Sequence, residues 1–138
     1  MRKRGLLTAV IIPVLLFSVG CARGTEIPVL EQVEADGSYD GATVAVCRGG
    51  DLTVKLEVDT RIGLEWALKS ISNESVLGLT GQKFVPLEEK AASGATGHEV
   101  WSFQALSPGK TTLEMAYRQP WQTQFPPEDT FTLDVTVR

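Results

Sequence analysis

The chain has 138 residues, 13 basic side chains against 17 acidic ones, a formal net charge of −4 and one histidine. That length suits a single domain. The acidic balance argues against nucleic acid as a partner, and a solitary His98 cannot build a histidine-based metal cage or a multi-histidine catalytic centre.

The first twenty residues read as an export signal and not as part of the fold. Arg2, Lys3 and Arg4 precede an apolar run over 6–17, and the small residues Ser18 and Gly20 lie just ahead of Cys21. This is the basic, apolar and cleavage pattern of a secretory signal, and the apolar run is too short for a comfortable membrane span. Ser18-Val19-Gly20-Cys21 is also similar to a bacterial lipoprotein processing box, in which Cys21 becomes the lipid-bearing first residue, although Ser18 stands where leucine is usual. Ordinary signal-peptidase cleavage at Ser18-x-Gly20 or Gly20-x-Ala22 is the other reading. The expected location is therefore the cell envelope, periplasm or outer surface, with the membrane as a partner if Cys21 carries lipid.

Removing that leader leaves ten basic residues against 17 acidic ones and enough chain to bury roughly two-thirds of its unfolded surface. Cys21 and Cys47 are the only cysteines. A lipid on Cys21 leaves Cys47 without a partner, whereas an unlipidated chain in an oxidising compartment could join the two. Cys47 itself reads as a small buried thiol at a strand end.

Residues 21–35 are expected to supply a tether and the start of a first strand near 29–33, with the domain proper over 36–138. A second irregular strand follows at 42–46. Leu52, Val54, Leu56 and Val58 then alternate with Thr53, Lys55, Glu57 and Asp59, and Leu64, Trp66 and Leu68 alternate with Glu65, Ala67 and Lys69. Both runs have the period of half-buried strands. Less regular strands are placed at 76–79 and 83–87.

Glu99, Trp101, Phe103 and Ala105 share one face of the next run, Leu113, Met115 and Tyr117 one face of another, and Phe131, Leu133, Val135 and Val137 one face of the last. Turns are expected at Asp36-Gly37, Gly49-Gly50, Thr80-Gly81 and Ser107-Pro108-Gly109-Lys110. Pro126-Pro127 forbids ladder pairing within 122–129, so that stretch crosses as a loop. No apolar stretch holds a helical period. The pattern predicts an all-β, immunoglobulin-like antiparallel β-sandwich of seven or eight strands, with Trp66, Trp101 and Met115 in its core.

Catalytic chemistry finds no foothold. A Cys47–His98 pair is arithmetically possible, but Cys47 lies in a strand-like run without a nucleophile-elbow or helix-start context. Glu57 and Glu65 fall on outward faces, and Glu88, Glu89 and Lys90 read as the solvated edge of a loop. No catalytic residue, metal or cofactor is expected, and the chain reads as a binding protein. Three glycine- or proline-marked segments interrupt the strands: 59–66, 93–97 and 117–121. The last ends in Trp121, a large aromatic placed on a loop, where such side chains serve as anchors.

Together these segments resemble the signatures of the chagasin family, inhibitors of papain-like cysteine proteases. The first family motif, Asn-Pro-Thr-Thr-Gly-aromatic-x-Trp, falls on Asp59-Thr60-Arg61-Ile62-Gly63-Leu64-Glu65-Trp66, with Gly63 and Trp66 matching outright. The second, a glycine-rich loop ahead of an aromatic strand, falls on Gly94-Ala95-Thr96-Gly97 and then His98 to Leu106. The third, Tyr-x-Arg-Pro-Trp, is present as Tyr117-Arg118-Gln119-Pro120-Trp121, with glutamine in the arginine position.

The resemblance implies a monomeric immunoglobulin-like domain whose three loops enter a protease cleft as a non-covalent wedge. The residues so implied are Asp59, Thr60, Arg61, Ile62, Gly63, Leu64, Gly94, Ala95, Thr96, Gly97, Arg118, Gln119, Pro120 and Trp121, with Trp121 as anchor and Arg118 at the rim. Gly63, Gly94 and Gly97 are expected to permit φ > 0 and close approach. Arg61 and Ile62 replace the two family threonines nearest the catalytic groups, and the charge of Arg61 needs compensation on burial. A non-inhibitory envelope lipoprotein, acting as an immunoglobulin-like interaction module, is the alternative.

Overall fold

The computed structural model describes residues 27–87 and 96–138. The signal sequence, Cys21, Gly94 and Ala95 lie outside the described residues. Seven strands account for most of the described backbone: β1 (Val29–Asp36), β2 (Thr43–Asp59), β3 (Glu65–Ile71), β4 (Leu77–Pro86), β5 (Thr96–Ala105), β6 (Gly109–Arg118) and β7 (Asp129–Val137). Two single-turn 3-10 helices, Gly37–Tyr39 and Thr60–Ile62, complete the regular structure.

The strands form one continuous sheet in the order β3-β6-β7-β2-β5-β4, with β1 added alongside β2. It curls over on itself into an immunoglobulin-like sandwich because β2 serves both layers. Its first residues, Thr43 to Val46, run parallel to β7, and Asp51 to Asp59 run antiparallel to β5. The sequence pattern predicts a turn at Gly49-Gly50; the structure makes it a corner within a single strand. Gly49 takes φ +81°, and a side-chain carbon on Gly50 would lie 2.5 Å from the Glu31 carbonyl oxygen, so bare backbone is needed where β1 follows β2 around the bend.

Other departures have similar causes. Thr80-Gly81, expected as a turn between two short strands, is a bulge inside β4, where the register against β5 shifts between Leu79 and Gly81. The expected all-antiparallel pairing holds for β2/β5, β3/β6, β4/β5 and β6/β7, while β1/β2 and β2/β7 are parallel. β1, which composition groups with the tether, contributes Val33 and Ala35 to the core, so the fold begins before residue 36. Cys47 is half-buried at the corner, not fully enclosed, and has no disulfide partner among the described residues.

The alternation read from sequence does define the core. Leu52, Val54, Leu56 and Val58 face Leu113, Met115, Phe131, Leu133 and Val135 across the sandwich, with Trp101 and Phe103 from β5 filling the space between. Phe103 is fully enclosed. Phe103→Ala removes an aromatic ring from a packed interior and is expected to cost about 3–5 kcal/mol, measured as a lowered urea midpoint with an unchanged slope.

Candidate functional site

Strand register brings the three interrupting segments to one end of the sandwich. Asp59, the last residue of β2, pairs with Thr96, the first of β5. Glu65, the first residue of β3, pairs with Arg118, the last of β6. The loop after β2 (loop 1, 60–64), the loop before β5 (loop 2, ending at Thr96) and the loop after β6 (loop 3, 119–128) therefore leave the sheet side by side.

Loop 1 is a single 3-10 turn with defined caps. The Asp59 carboxylate accepts from the Arg61 N–H at 3.0 Å, and Gly63 closes the turn in the left-handed region (φ 74°, ψ 13°), donating to the Thr60 carbonyl. Glycine meets that conformation without strain. The Arg61 guanidinium folds back onto the same carboxylate through two bonds, Nε to Oδ1 at 3.0 Å and Nη2 to Oδ2 at 2.9 Å. The compensation that sequence requires for Arg61 thus comes from within the loop. Hydrogen bonding to Arg61 holds the Asp59 carboxyl below the usual aspartate range, so the pair survives acidification past the point where a free aspartate would lose its charge. With Arg61 occupied, the crest of the turn exposes Ile62.

Loop 3 is shaped by two successive turns. Gln122 N–H donates to the Gln119 carbonyl at 3.0 Å, with Pro120 in the position that presets φ, and Phe125 N–H donates to the Gln122 carbonyl at 3.3 Å. Glu128 N–H to the Tyr117 carbonyl closes the base, and Arg118 reaches the Thr123 carbonyl. Arg118, expected at the rim, braces its own loop in this state. Trp121 is 66% exposed, as its loop placement predicts, and Phe125 beside it is also exposed.

Loops 1 and 3 touch. The Gln119 side-chain amide donates to the Ile62 carbonyl at 3.1 Å, and the Trp121 ring lies across Gly63, with Cη2 3.0 Å from where a β-carbon would sit. Gly63 is therefore needed inside the protein, as a seat for the indole. Loop 2 is described only at its root. Thr96 is half-buried, and Gly97 lies buried in β5 with an ordinary extended backbone, not the positive φ expected of it; its missing side chain makes room for the Phe84 ring and the Val85 carbonyl.

Beneath the loops, a polar network joins the layers. Trp66 donates from Nε1 to the Glu57 carbonyl at 2.8 Å, stacks on Tyr117 at 4.9 Å between ring centres, and donates its backbone N–H to Glu99 Oε1 at 3.3 Å. The Tyr117 hydroxyl accepts from the Asp59 N–H at 2.9 Å. Sequence periodicity places Trp66 in the core but gives no sign of these bonds, nor of the Gln119 link. Phe125 is not among the residues singled out from the sequence; the signal that marks it is a large apolar side chain in a proline-rich loop. Among the described residues no group of histidine, cysteine, aspartate and glutamate side chains is placed to hold a metal.

The immunoglobulin-like sandwich thus brings the roots of three loops to one pole. The family model "Chagasin family peptidase inhibitor I42" matches residues 45–135, and the chain belongs to that family of peptidase inhibitors. No curated protein sequence matches it. Solved structures share the fold. The cysteine protease inhibitor EhICP2 from Entamoeba histolytica aligns with TM-score 0.64 and 18% identity over 78% of this chain and 96% of its own. The solution structure of Amebosin aligns with TM-score 0.63 and 22% identity over 78% of this chain and 98% of its own. PbICP-C, solved in complex with falcipain-2, aligns with TM-score 0.56 and 17% identity over 80% of this chain and 95% of its own.

Tyr117→Phe tests the network below the loops. It keeps the stack on Trp66 and leaves the Asp59 N–H without its acceptor, which should cost about 1 kcal/mol in denaturant unfolding and accelerate amide hydrogen exchange at Asp59.

Proposed function

We propose that this chagasin-family protein inhibits papain-like cysteine proteases reversibly and without covalent chemistry, by seating loops 1, 2 and 3 in and around the active-site cleft. The observation that carries this reading is the junction of loops 1 and 3 in the free protein: Gln119 to the Ile62 carbonyl, and Trp121 on Gly63. Two of the three contact segments are already held in one shape, so less conformational entropy is lost on docking. The falcipain-2 complex of PbICP-C, a protein of the same fold, supports the class of target.

The residues then divide by task. Ile62 leads loop 1 toward the protease's catalytic groups, and its apolar side chain gains from leaving water. Arg61 enters already paired with Asp59, so the inhibitor brings a compensated charge and not a bare one. Thr60 and Leu64 flank the crest of loop 1. Gly94, Ala95 and Thr96 present backbone from loop 2, while Gly97, packed under Phe84, anchors its root. Pro120 and Arg118 stiffen loop 3, and Trp121, joined by Phe125, lies on the enzyme surface beside the cleft. The bulk of Arg61 and Ile62 where the family carries threonines shifts preference toward enzymes with a roomier cleft. The protein acts as an exported monomer held in the cell envelope by lipid on Cys21.

Inhibition constants against a panel of papain-like proteases test the reading directly. The purified protein should slow at least one of them reversibly, and Trp121→Ala should weaken inhibition about 30-fold, equivalent to ~2 kcal/mol, with no change in melting temperature. No slowing at micromolar inhibitor across the panel overturns the reading. For the anchor, mass spectrometry of the membrane fraction should find an N-terminal Cys21 carrying acyl chains; an unmodified N-terminus in the soluble fraction would reject it.

A further inference from the structure

Glu99 is the one carboxylate buried among the described residues, at 5% exposure, and neither the fold nor the loops as described require a charge there. It stands on β5 two positions after Gly97, the root of loop 2. Its register partners are apolar: Leu56 of β2 lies opposite on one side and Phe84 of β4 on the other. Burying a carboxylate is costly unless several donors face it, and the donors present come from both layers. Oε1 accepts from the Trp66 N–H of β3 at 3.3 Å, and Oε2 accepts from Trp101 Nε1 of its own strand at 3.3 Å. Gln82 of β4 adds a further hydrogen bond.

We propose that Glu99 is a positioning residue, which ties the root of loop 2 on β5 to the exit of loop 1 on β3 and so fixes how far apart the two loops stand. The inference rests on the inhibitor reading for its functional consequence and on geometry alone for the tether. β3 is an edge strand that follows loop 1 directly, and Trp66 is its second residue. Through Trp66 the tether continues to Tyr117 by stacking and to the Asp59 N–H by the tyrosine hydroxyl. One carboxylate thus connects the root of loop 2 with both ends of loop 1. A glutamine of the same shape cannot replace it, because its amide nitrogen would face one of the two N–H donors.

The group is also titratable. Burial raises the Glu99 carboxyl above the usual glutamate range, and Glu65 of β3 raises it further, against the lowering by Trp66, Trp101 and Gln82. A raised folded value means that the proton's contribution to stability is fully present below the ordinary glutamate range and is lost as pH rises through the raised value. Acidification through that window therefore favours folding while it takes a charged acceptor out of the tether. Stability and inhibition move in opposite directions, which a merely structural role would not produce.

Inhibition by the wild-type protein and by Glu99→Gln is measured with one protease at each pH, so that the enzyme's own titration cancels in the ratio. At neutral pH the variant should inhibit about tenfold more weakly, with the ratio falling toward one as the wild-type carboxyl protonates. A ratio that is one at neutral pH, or that stays flat, overturns the proposal. A second readout needs neither a variant nor a protease: in the wild-type protein the Trp66 amide and Trp101 indole proton resonances should titrate together, with a common inflection above the ordinary glutamate range. Resonances that do not titrate overturn the tether whatever the inhibition assay returns. Joint titration without inhibition of any panel member would remove the inhibitor reading and leave the tether standing.

Discussion

The end of the sandwich that carries the loops is held by Trp66. Its ring is enclosed between the layers and stacks on Tyr117 of β6, its indole N–H donates to the Glu57 carbonyl of β2, and its backbone N–H donates to Glu99 of β5. A hydrophobic interior alone would press the layers together without fixing their relative slide, because dispersion and burial are weakly directional. Hydrogen bonds across the core supply direction. In a low-dielectric setting they are costly to leave unmade, so the layers have one register that satisfies all of them, and the loops inherit it.

That inheritance explains how a surface with short turns and few regular elements can be specific. Loop 1 is one helical turn with its own caps and ion pair, and loop 3 is a pair of tight turns across a proline. Each is short enough to be set by local hydrogen bonds, and the Gln119 amide and the Trp121 ring then join them. The exposed apolar side chains, Ile62, Trp121 and Phe125, are presented by backbone that has already surrendered most of its freedom. An interface built in this way gains from burial without a matching loss of entropy.

The strands were readable in the sequence because a half-buried strand must alternate, and Leu52 to Val58 or Phe131 to Val137 could do so only with one face inward. The grouping of the three loops was readable only through resemblance to a family, since no local rule states that residue 59 will meet residue 96. Glycine was the poorest guide. Gly49-Gly50 and Thr80-Gly81 carry the chemistry of turns, yet they stand at a bend and a bulge inside long strands, and of them only Gly49 takes a positive φ. Gly97 looked like loop backbone, but packing against Phe84 explains it. Cross-layer bonds such as Trp66 to Glu57 depend on distances between elements far apart in sequence, which alternation does not encode.

The corner in β2 also settles the polarity of the body. Val29 pairs with Ala45, which pairs in turn with Thr136 near the carboxyl end, so both extremities of the described fold meet at the pole farthest from Trp121. Ten residues of β5 separate the two poles, roughly 30 Å of extended chain. Any support that holds the molecule by its leading segment lifts the Trp121 end away from that support and toward whatever approaches from outside.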